Sequence, residues 1–393
     1  MEKEELELQK GNEEIESPQS EEENQLSENE ISKDDEIANC DSSVSPSSNS
    51  SNEEDEHALE DNRSKKEKKP WSKKKNIIFW SVGGTLSLAI GIGAGVVLGS
   101  VFNAGTVGDY SNVDTSKYAV DYDKLVNDFK AMPAGTDYST KMSVCDMANT
   151  ALSIFYRHDK WQTQGYGYTS FNVMGIKGDQ QIRSTFAKEN DKYFEESLSN
   201  SDIVQAAWRM YEDHSKGDDS MVMRYKGTVD KDVYDSHFDE SSKTEYSRED
   251  YHKYAGRYLD GIPCIYIISD KCLAKEDQKK TSKIPTGVTK DSTGYTLEIE
   301  LDPGIAVKNY VVQMQTTTDL AGPPYFYFVH LTFKLDSKLN LISMTNYESY
   351  YAKTAAGAGS NMTAKVTTYF DTSDSISIPD IKTQTTYDLT KDK

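Results

Sequence analysis

Histidine, cysteine and clustered acids are the residues best suited to metal or nucleophilic chemistry, and here their spacing argues against most of it. None of the six histidines forms a His-Glu-x-x-His pair, and no Cys-x-x-Cys occurs, so the usual zinc-protease and dithiol arrangements are missing. No Gly-x-Ser-x-Gly elbow is present to expose a nucleophilic serine. Asp230, Asp232, Asp235 and Asp239 crowd together. A calcium loop of the EF-hand kind needs alternating acids, a central glycine and a terminal glutamate, and this spacing lacks them. With 65 Asp and Glu in the chain, a pair of carboxylates can be picked almost anywhere, so no acid–base pair is singled out. Ser72-Lys73-Lys74-Lys75 satisfies Ser-x-x-Lys only because lysine is abundant there, and Asn361-Met362-Thr363 is a formal glycosylation sequon. The expectation is a protein without enzyme activity, metal or cofactor.

The charge is strongly segregated. Residues 1–62 hold 22 Asp/Glu against three Lys, a formal −19, with no aromatic residue. Such a stretch buries too little apolar surface to offset its ordering entropy and is expected to be a disordered acidic tail. Ser17-Pro18 and Ser45-Pro46 within it are accessible to phosphorylation. Residues 63–75 reverse the sign, with eight Lys/Arg and one Glu. Ile77 to Val101 then runs without a charge. About 20 residues span a ~30 Å hydrocarbon core, so 76–101 is expected to be a transmembrane helix. The basic flank precedes it, which places the tail in the cytoplasm and the C-terminal part outside, as a retained signal-anchor of a single-pass cell-membrane protein.

Two further roles follow from this segment. Lys65 to Lys75 lie where anionic lipid headgroups attract them. Gly91, Gly95 and Gly99, with Ser87, fall on one helix face and allow close pairing of two copies, a homodimer. Nucleic-acid binding is not indicated, because the only basic cluster adjoins the membrane. Cys40 is on the reducing side, while Cys145, Cys264 and Cys272 are outside. They are expected to be buried free thiols, with Cys264–Cys272 bridgeable only if the chain doubles back.

All 25 tyrosines lie at Tyr110 or later, so a polar linker at 102–117 leads into one folded domain over 118–393. Helical spacing is seen at Tyr122–Met132 and again from Ser143, where Met147, Ala148, Ala151, Leu152 and Phe155 share a face behind a Ser143/Asp146 cap. Strand patterns follow at Trp161–Met174, Gln181–Lys188, Lys192–Leu198, Val204–Glu212 and Met221–Thr228. Asp230–Glu249 reads as an acidic loop and Arg248–Gly256 as a short helix. Tyr295–Leu301 alternates as a strand, Ala306–Thr317 is helical, and long strands at Tyr325–Leu335, Leu339–Tyr351 and Met362–Phe370 complete the chain. The fold class expected is α+β, a curved antiparallel sheet or half-barrel covered by helices.

The run YFYFVHLTFKLDSKLNLISMTNYESYYAK, a loop and AKVTTYF, preceded by GIPCIYIISD and TLEIELDPG, resembles the end of the lipoprotein-carrier fold of the LolA and LppX/LprG type. The similarity spans about 160–371 and rests on the order of strands and turns; no lipobox cysteine accompanies it. It implies a half-barrel whose concave face holds acyl chains. The ligand-contacting residues would then be Phe326, Phe328, Val329, Leu331 and Phe333, Ile342 and Met344 on the next strand, and Trp208 and Met210. A lid would carry Tyr310, Val311 and Met314. The function expected is a membrane-anchored extracytoplasmic binding protein for lipid or another apolar ligand. The alternative is a sensor of a protein or cell-wall partner in the envelope.

Overall fold

The computed structural model describes residues 107–173, 176–201, 205–230, 236–255, 257–260, 266–275, 286–317, 320–353 and 359–392. The acidic tail, the Lys65–Lys75 segment, the 76–101 span with Gly91, Gly95 and Gly99, and Cys40 and Cys264 lie outside those residues. Among the described residues, no helix is long and apolar enough to cross a membrane.

Two helices open the domain, α1 (Tyr122–Ala131) and α2 (Val144–Tyr156). Ser143 caps α2 as its sequence requires, its hydroxyl accepting from the Asp146 N–H at 3.0 Å. Six strands follow in a meander: β1 (Lys160–Val173), β2 (Ile176–Glu189), β3 (Lys192–Asn200), β4 (Gln205–Asp213), β5 (Met221–Val229) and β6 (Ser236–Ser247). Helix α3 (Arg248–Ala255) leads to β7 (Gly287–Lys290) and β8 (Gly294–Leu301). Helices α4 (Pro303–Ala306) and α5 (Lys308–Thr317) follow, parted at Val307; α5 is the helix expected over Ala306–Thr317, and α4 falls where the sequence reading has only the end of the strand. The long strands β9 (Tyr325–Asp336), β10 (Leu341–Lys353) and β11 (Gly359–Asp371) end the sheet.

All eleven strands join one antiparallel sheet in the order β6-β5-β4-β3-β2-β1-β11-β10-β9-β8-β7. The last strand returns to pair with the first, so β1 and β11 are central and β6 and β7 are the edges. The expected acidic loop at Asp230–Glu249 is thus largely edge strand β6. Its charged residues (DESSKTE) obscure the strand pattern, and charge on an edge protects it from pairing with another chain.

The sheet curls. Six strands separate β5 from β9, and seven steps of about 4.8 Å would put them about 34 Å apart if flat. Yet α3, which packs on β5 and β6, also packs on α5. In turn the ring of Tyr310 of α5 packs against Phe326 of β9, 5.6 Å between centroids. Only a sheet bent toward one face brings the two helices together. At the centre of β1, Gly167 permits the close approach of β11: a Cβ there would lie 2.2 Å from the Lys365 carbonyl oxygen.

The main core fills one flank of the concave side. Met147, Ala148, Ala151, Leu152 and Phe155 of α2 pack on Leu297, Ile299, Val329, Leu331, Phe333 and Met344. A smaller cluster, Met210, Val222, Tyr251, Ala255 and Leu259, holds α3 on β4 and β5. On the convex face the chain after β11 returns across the sheet. The Arg209–Glu196 ion pair (2.5 Å, both side chains essentially buried) donates onward to the Asp380 and Ile381 carbonyls at 2.8 and 3.2 Å. Tyr387 packs against Tyr166 and donates to Glu196 at 3.0 Å. At the other end, residues 107–117, the second part of the expected linker, lie along the domain. The Gly108 N–H donates to Pro323 O at 3.1 Å, and the buried Tyr110 hydroxyl donates to Pro324 O at 3.0 Å.

Candidate functional site

Strand alternation and register decide which side chains face the concave side between the two apolar clusters. Thr169 on β1 pairs with Gln180 on β2 and Ala364 on β11. Ser184 on β2 pairs with Ser197 on β3, and Thr368 on β11 with Met344 on β10. Glu348 and Tyr350 continue along β10 on the same face. The floor so formed is made of small and polar residues, all of them buried. Gly165 belongs to it as well: a Cβ there would meet the Ser184 hydroxyl at 2.5 Å.

Among the described residues, several of these polar atoms have no hydrogen-bond partner: Thr169 Oγ1, Gln180 Nε2, Ser197 Oγ, Thr368 Oγ1 and Tyr350 Oη. A buried donor or acceptor left unmade costs about 1–3 kcal/mol, so proteins seldom keep several on one surface without a use for them.

At the apolar margin of this floor sits Glu348, fully buried. Tyr266 donates to its Oε2 at 2.5 Å and Tyr310 to its Oε1 at 3.2 Å. Burial raises its pKa to about 7, and the two hydroxyls only partly offset this. The rings form a chain, Tyr266–Tyr310 at 5.6 Å and Phe326–Tyr350 at 4.9 Å. Because Tyr310 belongs to α5, this helix is tied to the floor by a polar contact in an otherwise apolar setting. The Tyr266 segment is positioned by α2, where Asn149 donates to Ile268 O at 2.9 Å.

The opposite margin is closed by α3. Arg257, just past the helix, donates to buried Glu195 on β3, and Tyr251 reaches the same carboxylate at 3.4 Å. Glu212, His214 and Asp260 bring three metal-type ligand atoms within 4.8 Å of one another. Arg248 of α3 already serves all three: it donates to Glu212 Oε1 at 2.6 Å, to both Asp260 oxygens at 3.1 Å and to His214 Nε2. The guanidinium supplies the cation, and the cluster works as a clasp between α3 and the end of β4. Of the acidic group marked in the sequence, Asp232 and Asp235 lie outside the described residues, and Asp239 is exposed, accepting from Ser241.

The sequence-predicted contact residues divide. Phe326, Val329, Leu331, Phe333, Met344, Tyr310, Val311 and Met314 meet in the main core. Phe328 does not join them. A register irregularity at Ser349/Tyr350 turns β9, so that Phe326 faces the core while Phe328 lies on the convex face, 4.9 Å from the Tyr347 ring. Ile342 occupies a second irregularity, between Leu341 and Ser343, and is 47% exposed. Trp208 and Met210 are buried on the inner face of β4, away from that core; Met210 packs under α3. The polar floor, Glu348 and the Arg248 clasp were not singled out by sequence reasoning. The alternation of Glu348 with Tyr350 and Met344 in β10 was the one available signal.

No known protein-family model matches the chain, and no curated protein matches it. Among solved structures, the chain is similar to a DUF1329 family protein of Desulfovibrio piger, at 10% identity and a TM-score of 0.21, over 62% of this chain and 96% of that one. It is also similar to a putative outer membrane lipoprotein-sorting protein domain of Vibrio parahaemolyticus, at 8% identity and a TM-score of 0.18, over 55% and 87%. At such scores neither likeness says what this chain binds.

Proposed function

We propose that this is a membrane-anchored, non-enzymatic binding protein whose curved sheet holds an amphiphilic ligand at the outer surface of the cell membrane. The observation that carries the reading is the set of buried polar groups on the concave floor, Thr169, Gln180, Ser197, Thr368 and Tyr350, that lack a hydrogen-bond partner among the described residues. They lie between the two apolar clusters. A ligand with an apolar body and a few hydrogen-bonding groups would satisfy them, whereas pure hydrocarbon would leave each one unmade.

Native mass spectrometry of residues 107–393, with solvent extraction of whatever co-purifies, tests the proposal. A Ser197→Ala/Thr368→Val variant should retain several-fold less ligand, while its ligand-free form melts no lower than that of the wild type. An empty wild-type domain that takes up no added lipid would refute it. A second reading, contact with an envelope partner, draws on the convex face, where Tyr168 and Tyr347, 42% and 40% exposed, flank Lys365 in one cross-strand row. In that case the empty domain would instead lose partner binding on Tyr347→Ala.

A further inference from the structure

The end of the domain that starts at Val107 carries an unusual set of surface residues. Val107 itself is 58% exposed and Val312, on the outer side of α5, is 39% exposed. Lys308, one turn before Val312, donates to the Tyr110 carbonyl at 2.7 Å and so brings the start of α5 to this segment. The start of β9 and the end of β10 add the half-buried Tyr325, Tyr327 and Tyr351, with Tyr325 and Tyr351 on the face opposite Phe326 and Lys353 two residues further on. The Tyr325 and Tyr327 rings are 5.3 Å apart, and Tyr351 pairs directly across from Tyr325. The peptide at Gly108 is bonded to Pro323, so Val107 is fixed at this rim.

Chain length restricts what can lie opposite. Val107 follows the uncharged Ile77–Val101 run by six residues, and six residues reach at most about 20 Å. If that run spans the bilayer, Val107 and the rim bonded to it stay within about 20 Å of the membrane surface. Tyrosine with exposed aliphatics and lysine is the mixture favoured at the headgroup layer, where a ring stays apolar while its hydroxyl is wet.

We infer that the rim formed by Val107, Val312, Tyr325, Tyr327, Tyr351 and Lys353 docks on the lipid headgroups, so that α5 faces the bilayer. The inference rests on the anchored reading above. It adds an orientation: the helix whose Tyr310 reaches the buried floor is the helix laid against the lipid, and an amphiphile would enter past α5 directly from the outer leaflet.

The test uses the full chain reconstituted in phosphatidylcholine/phosphatidylglycerol vesicles, in a Cys40→Ser/Cys264→Ser background. An environment-sensitive fluorophore is attached at Tyr327→Cys, at Val312→Cys, or at Tyr168→Cys on the mid-sheet convex face as the control. Brominated lipids should quench the labels at 327 and 312 at least threefold more than the label at 168, with a blue-shifted emission. Should Tyr327→Cys fail to fold, the Val312→Cys label on α5 gives the same reading. Equal quenching at all three positions, in protein that floats with vesicles after carbonate washing, overturns the inference and leaves anchoring intact. Failure to float overturns the anchored reading, and the inference with it.

Discussion

Replacing Glu348 by glutamine should make the protein more stable at pH 8 and nearly leave it unchanged at pH 4.5. The carboxyl is fully buried, and burial lifts its pKa from an ordinary 4.5 to about 7. An acid whose pKa is raised by folding binds its proton more tightly in the folded state. Its contribution is therefore fully favourable below the unfolded value, is lost as pH rises through the folded value, and stays lost above about 7. The rise from 4.5 to about 7, at 1.36 kcal/mol per pH unit, amounts to about 3 kcal/mol. Glutamine is close in shape; one of the two tyrosine hydroxyls can still donate to its carbonyl, while the other, which meets the second carboxylate oxygen, must turn to accept from the NH₂ group. Any cost of pairing its NH₂ group is the same at every pH and cancels in the comparison. Urea or thermal unfolding of both forms at pH 4.5, 6 and 8 should show their stability difference growing by about 3 kcal/mol, or about 6–12 °C for a domain of this size. A difference that does not vary with pH would refute the reasoning. Glu348 would then be ionised at little cost, and the tie between α5 and the floor would be wetter than its burial implies.

The remaining predictions concern the packing on the two faces. Arg209→Ala would strand the buried Glu196 carboxylate and release the carbonyls of Asp380 and Ile381; a loss of about 3–5 kcal/mol is expected, with proteolytic clipping after residue 380 as a direct readout. Phe333→Ala, in the closed core, should cost about 3–5 kcal/mol, while Ile342→Ala at the exposed bulge should stay within about 0.5 kcal/mol in the same denaturation assay. The thiols of Cys145 and Cys272 are both buried, and desolvation pushes Cys145 up strongly and Cys272 to about 11; maleimide should label them only after denaturant is added. Rapid labelling of either in the native protein would contradict the burial of both in the main core.

Local pattern alone carried much of the fold. The strands at Trp161–Met174, Lys192–Leu198 and Tyr325–Leu335 fall within about two residues of β1, β3 and β9, because a period of two over long Tyr-, Phe- and Val-rich runs has no helical reading. The Ser143 cap and the apolar face of α2 were equally legible, since cap and stripe are both set within a few residues. The charge partition into acidic, basic and uncharged segments is likewise a property of the chain itself.

What the chain could not declare is which face each side chain meets and what covers that face. Phe326 and Phe328 differ by two positions and should share a side, but a register irregularity at Ser349/Tyr350 puts one in the core and the other outside. That shift depends on how two strands distant in sequence fit together, and alternation within one strand does not record it. Strand β6 was hidden because edge position, the reason its charges are tolerated, is known only once the sheet order exists. The buried polar floor depends on more still. Thr169, Gln180, Ser197 and Thr368 read singly as ordinary solvent-facing strand residues. They become buried together only because β11 closes beside β1 and the sheet curls until α3 reaches α5. Curvature is a sum over eleven strands, so the site it creates belongs to the tertiary structure alone.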